Sequence, residues 1–113
     1  MFLKVDEDKK FLFITPCKNL IGDTGSKFGS ELDEIRKMDS EKIIVMNFSQ
    51  VKQIDSFTIS TLVSFNYEIK NSGKTIVFTH VQPFVMSIFK IMNIDKLFKF
   101  FETEDDLIKN FSQ

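Results

Sequence analysis

Residues 43–79 read IIVMNFSQVKQIDSFTISTLVSFNYEIKNSGKTIVFT, and the fold turns on how this stretch is divided. Its opening, Ile43 to Phe48, is nearly continuous in apolar residues and β-branched at its start, as expected of a strand covered on both faces. Its close, Thr75 to Thr79, is a second strand of the same kind, introduced by Asn71-Ser72-Gly73 as a helix stop. Between them, Ser56 to Lys70 has helical spacing, with Ile59, Leu62, Val63, Asn66 and Ile69 on one face. A strand, a crossover helix and a second strand imply parallel pairing.

The flanking segments extend the pattern. Phe2 to Val5 and Phe11 to Thr15 read as strands joined by a charged turn at Asp6 to Lys10, with Pro16 closing the second. Apolar residues at Phe28, Leu32, Ile35 and Met38 mark a helix whose wet side carries Asp33, Glu34, Arg36 and Lys37, with Asp23 or Thr24 as its cap. Pro83 opens a helix through Phe84 to Met92, Leu97 to Phe101 is a last short strand, and Thr103 starts a terminal helix with Asp105 and Asp106 in its first turn. The order is ββαβαβαβα: one α/β domain over residues 1–113, with a mixed, mostly parallel sheet of about five strands and about four helices.

Composition narrows the function. With 42% hydrophobic and 27% charged residues, the 113-residue chain has the make-up of an ordinary globular domain. A net charge of −1 with scattered basic residues offers no footprint for nucleic acid. The single cysteine, Cys17, excludes an internal disulfide and fits a reducing compartment. The amino terminus does not resemble a secretory signal, and no apolar run reaches membrane-spanning length, so a cytoplasmic protein without membrane insertion is expected. Abundant Phe, Ile, Lys and Asn, with Arg36 as the only arginine, point to an AT-rich genome. Phenylalanine is in excess, at 14 residues.

Catalysis has little to work with. His80 is the only histidine and nothing in the sequence pairs it with Cys17, so a strand-end histidine and a small apolar cysteine are the expected readings. No metal-ligand cluster and no phosphate-cradling glycine loop occurs, so neither an enzyme nor a cofactor is expected. What remains is Asp55-Ser56 at a helix start, where unpaired amides and the helix dipole suit a hydroxyl, a carboxylate or a phosphate. Ser56 or Asp55 as a simple cap explains the pair without any function, at about 1 kcal/mol. The helical wheel sets Phe57, Thr61, Ser64 and Phe65 opposite the Ile59/Leu62 face, either as a docking surface or as packing against the Pro83 to Met92 helix.

Taken together, IIVMNFSQVKQIDS, the helix after it and the tail QPFVMSIFKIMNIDKLFKFFETEDDLI resemble the STAS domain family, which includes bacterial anti-sigma factor antagonists. The resemblance covers almost the whole chain. It implies that Ser56 is a phosphoacceptor for an anti-sigma factor that is also a serine kinase of the histidine-kinase-like ATPase type, with a serine phosphatase resetting the switch. It also implies a partner-binding surface of Asp55, Phe57, Thr58, Ser60, Thr61, Phe65 and Asp23, with Thr58, Ser60 and Thr61 as secondary acceptors. The chain departs from the family where small residues and glycines usually follow Asp-Ser, having Phe57, Thr58, Ile59 and Ser60 there. It departs again where a Gly-x-Leu-Asp sequence is common, having Lys18, Asn19, Leu20 and Ile21, although Asp23 lies close. A bulkier partner-facing surface follows from Phe57 and Thr58. The alternative that these departures favour is a phosphorylation-independent STAS subunit of a signalling scaffold or a membrane-transport complex.

Overall fold

The computed structural model describes residues 2–38 and 41–111. Two strands, β1 (Leu3–Glu7) and β2 (Phe11–Pro16), form an antiparallel hairpin. The Asp8 carboxylate closes its turn by accepting hydrogen bonds from the Lys10 and Phe11 amides, each 2.8 Å. Then come α1 (Gly22–Arg36), β3 (Ile43–Asn47), α2 (Ser56–Asn71), β4 (Ile76–Thr79), α3 (Pro83–Ile91), a 3-10 turn (Asp95–Leu97), β5 (Phe100–Phe101) and α4 (Glu104–Phe111).

The sheet order is β1-β2-β3-β4-β5, antiparallel in its first pair and parallel thereafter. Parallel strands added one after another by right-handed crossovers put α1, α2 and α3 on the same face. Strand alternation fits this. Leu12, Ile14, Ile44, Met46, Ile76 and Phe78 join the main core with the helices, while Phe11, Val45 and Val77 form a second cluster with Leu107 of α4. The double coverage explains why the middle strand reads as an unbroken apolar run.

The surplus of phenylalanine is largely internal. The Phe78 ring centre lies 4.7 Å from that of Phe98, 5.4 Å from Phe48 and 5.8 Å from Phe100. Such tilted and edge-on pairs add to the apolar area that each ring buries.

Several boundaries differ from the sequence expectation, and the first strand runs on through Asp6 and Glu7, which pair with Phe13 and Leu12 instead of lying in the turn. The last strand is only Phe100–Phe101, because a left-handed Asn93 (φ 61°) ends the preceding helix and the 3-10 turn absorbs Leu97. Met38 lies beyond the end of α1 and is exposed rather than part of its apolar stripe. At the other end of α1 the cap residue is Ile21, whose side chain bonds nothing there, so neither Asp23 nor Thr24 caps the helix.

Candidate functional site

The chain from β3 reaches α2 through a loop pinned at both ends. The Asn19 side chain accepts from the Lys52 and Gln53 amides, Leu20 pairs with Ile54, and the Leu20 amide donates to the Gln53 carbonyl. This brings the entries of α1 and α2 together and puts Asp55 between them.

Asp55 serves both helices. Its Oδ1 accepts from the Thr58 amide at 2.9 Å, the ordinary N-cap bond of α2. Its Oδ2 accepts from the Gly22 amide, also at 2.9 Å, and so supplies the cap that Ile21 cannot give α1. Gly22 adopts φ +57°, a left-handed conformation that costs glycine little.

Below this joint the two helices run side by side in the same direction. Gly22 meets Asp55, Gly25 meets Thr58, Gly29 faces Thr61, and near the far ends Arg36 Nε lies 3.0 Å from Glu68. Closest approach falls at Gly25, where a Cβ would lie 2.4 Å from Thr58 Oγ1. Thr58 Oγ1 is itself 2.9 Å from both the Leu20 carbonyl and Asp55 Oδ1, and its one proton serves these two acceptors.

This geometry corrects two expectations. Thr58 does not enlarge a partner-facing surface: it is wholly buried, and the room it needs comes from Gly25 across the helix interface. Phe65 is not an exposed contact either, at 5% exposure. It lines the groove between α2 and α1 with Gly29 and Leu32, so its neighbours there come from α1. Phe57 does remain outside, at 58% exposure.

The hydroxyls of the first two turns are now distinguishable. Thr58 is buried and engaged. Ser60 donates to the Ser56 carbonyl at 3.2 Å, and Thr61 to the Phe57 carbonyl at 3.1 Å. Ser56 is exposed, and no group among the described residues holds its hydroxyl. Asp23 is exposed in the first turn of α1, one residue from the Gly22 amide that Asp55 holds.

Hydrogen bonds from the Thr58 and Gly22 amides, in that order, hold the Asp55 carboxyl below its ordinary value of 3.8. A depressed folded-state pKa gives stability that is complete above the ordinary carboxylate pKa and is lost as pH falls through the lower folded value. Asp8 is lowered by the Phe11 and Lys10 amides and adds a similar acid sensitivity. Asp55→Asn keeps one acceptor oxygen for the α2 cap, gives up the bond to the Gly22 amide and cannot titrate, so it is less stable than wild type at neutral pH. Its urea midpoint is therefore expected to fall less steeply than wild type from about pH 5 downward. Equal slopes for the two proteins would remove Asp55 from the acid response.

His80 lies apart from this joint. It takes a left-handed φ of 55° after β4, with its Nδ1 3.2 Å from the Thr79 hydroxyl. Among the described residues no group of three His, Cys, Asp or Glu side chains is placed to hold a metal ion.

A model of the STAS domain family matches residues 3–107. Among solved structures, the chain is similar to the protein TM1081 of Thermotoga maritima, with TM-score 0.87 and 20% identity over 98% of this chain and 95% of that one. It is similar also to an anti-sigma-factor antagonist (STAS) domain protein from Planctomyces limnophilus, with TM-score 0.86 and 15% identity over 98% of each chain. A third likeness is to the Bacillus anti-sigma factor antagonist SpoIIAA in its unphosphorylated form, with TM-score 0.77 and 11% identity over 98% of this chain and 97% of that one. At these identities the structural likeness carries the fold alone.

Proposed function

Because the chain belongs to the STAS domain family, we propose that it is an anti-sigma factor antagonist that works by switching partners, with Ser56 as its phosphoacceptor. The observation that carries this reading is the difference among four neighbouring hydroxyls. Thr58, Ser60 and Thr61 are each spent on bonds within the fold, whereas Ser56 stands exposed at the first position of a helix whose cap is already supplied by Asp55.

In the cycle proposed, the unphosphorylated protein docks on an anti-sigma factor through Phe57, Asp23 and the exposed start of α2, and a sigma factor is released. That anti-sigma factor is a serine kinase of the histidine-kinase-like ATPase type. Ser56 Oγ attacks the γ-phosphorus of its ATP, the bond to the β-phosphate oxygen breaks, ADP leaves and the hydroxyl proton passes to a base of the kinase. The product carries about −1.5 to −2 additional charges. A serine phosphatase restores the hydroxyl by hydrolysis. The antagonist is a substrate and a binding module in this cycle, not a catalyst, and its place is the cytoplasm.

The second reading, a phosphorylation-independent subunit of a scaffold or a transport complex, draws on Phe57. An apolar ring 58% exposed, where the family usually has a small residue, suits a contact that is held permanently. The two readings part on chemistry. When the chain is incubated with ATP and the serine kinases of its organism, phosphate is expected on Ser56, mapped by mass spectrometry, and absent from Ser56→Ala. Label found only outside residues 55–61 would sink the switch.

A further inference from the structure

The fold sets a few lysines apart from the charges that surround them in the sequence. Helices antiparallel to their strands place the ends of α1, α2 and α3 at one pole of the sheet, about 21 Å from Ser56 along α2. The α1 end is balanced, with Asp33 and Glu34 paired to Arg36 and Lys37, but from Ile69 to Phe101 the chain has five lysines and a single acid, Asp95. Lys70 and Lys90 occupy the last turns of α2 and α3, where they also offset the helix dipoles. That role does not account for Lys96, nor for what stands beside it.

The turn after α3 is rigidly built and presents apolar side chains outward. The Met92, Asn93 and Ile94 amides donate to the Ile88, Lys90 and Phe89 carbonyls at 3.0, 3.0 and 2.9 Å, a left-handed stop around Asn93. Ile94 folds back against the main core. The Leu97 carbonyl accepts from Lys70 Nζ at 2.9 Å, tying the turn to the end of α2. Held this way, Ile91 is 83% exposed, the highest value among the exposed large hydrophobic residues, and Met92 and Leu97 are also exposed. Exposed Lys90 and Lys96 flank them.

We propose that this tip, residues 90–97, docks on an anionic lipid surface, with Ile91, Met92 and Leu97 entering the headgroup boundary and Lys90 and Lys96 meeting lipid phosphates. Lysine ammoniums complement anionic headgroups, and apolar side chains at the same tip find a place there that neither a nucleic acid backbone nor bulk water provides. No spanning segment is needed, and no helix among the described residues is long and apolar enough to cross a membrane. The Ser56 pole faces away from the lipid and stays open to protein partners. The proposal stands independently of phosphorylation.

The chain has no tryptophan, so Ile91→Trp provides a single emission probe at the tip. Vesicles of phosphatidylglycerol and phosphatidylcholine are expected to shift its emission to the blue and to sediment the unsubstituted chain. Phosphatidylcholine vesicles alone are expected to do neither, and raising salt should reverse both effects. Lys90→Gln with Lys96→Gln is expected to lower the vesicle partition about twenty-five-fold, from about fivefold per lysine near a charged surface. No sedimentation of the unsubstituted chain with phosphatidylglycerol vesicles overturns the proposal. So does equal binding to neutral vesicles, or binding to duplex DNA that is tighter than to the anionic vesicles at the same salt.

Discussion

Gly25→Ala is expected to destabilise the domain by about 3 kcal/mol in urea unfolding. The new methyl would lie 2.4 Å from Thr58 Oγ1, well inside contact distance. Thr58 cannot yield cheaply. It is completely buried, and turning its hydroxyl away breaks the bonds to the Leu20 carbonyl and the Asp55 carboxylate. Overpacking of this kind costs about 1–3 kcal/mol, and the lost buried hydrogen bond adds about 1 kcal/mol. Thr58→Ala removes the obstructing oxygen. Alone it is expected to cost about 1–1.5 kcal/mol, because the Leu20 carbonyl keeps its bond from the Asp55 amide. In the double variant the alanine at 25 meets only ordinary contacts, with Asp55 and Phe57 atoms at 3.8 Å. Its cost is therefore expected to stay close to that of Thr58→Ala alone, a coupling of about 2–3 kcal/mol. Simple addition of the two single costs would refute the view that Gly25 exists to accommodate Thr58.

The same pair of residues shows where sequence reading reached and where it stopped. Strand and helix order was legible because each strand alternates or runs apolar according to how many faces are covered, and each helix repeats its apolar stripe. Asp55-Ser56 was legible as a helix start for the same local reason. Phe65 was misplaced because a helical wheel assumes one buried face, whereas α2 packs on the sheet below and on α1 beside it, and Thr58 because the resemblance put it on the partner surface with no sign of Gly25 opposite it. The α1 cap was missed because its acceptor, Asp55, lies 33 positions from Gly22. Only a glycine at 25 or 29 hinted at a close helix pair, and neither has meaning before its partner is known. The lysines beside the turn after α3 were hidden likewise, since they come from α2, α3 and that turn, and become neighbours only through the crossover topology.

Phosphate on Ser56 is expected to weaken binding to the kinase that delivers it by about a hundredfold, or about 2.7 kcal/mol. The site is already anionic. Asp55 keeps its charge at neutral pH, being held below the ordinary carboxylate pKa by two amide hydrogen bonds, and Asp23 is exposed in the neighbouring first turn. The Thr58 and Gly22 amides that could have welcomed a phosphate are committed to Asp55. A partner seated on Phe57 would have to strip water from the new dianion while receiving little cation in return. Ser56→Asp places one charge on a shorter stem and is expected to cost about tenfold in affinity, measured by calorimetry. Ser56→Ala should bind within about threefold of wild type and lose all response to ATP. Ser56 is not the cap residue and its hydroxyl bonds nothing in the fold, so both substitutions should leave the unfolding midpoint nearly unchanged, within about 0.5 kcal/mol. That control separates a switch from a damaged domain. A permanent scaffold contact built on Phe57 differs at Ser56→Asp, which then binds within about threefold of wild type as Ser56→Ala does, because an interface that never meets phosphate has no reason to exclude a single added charge at its rim.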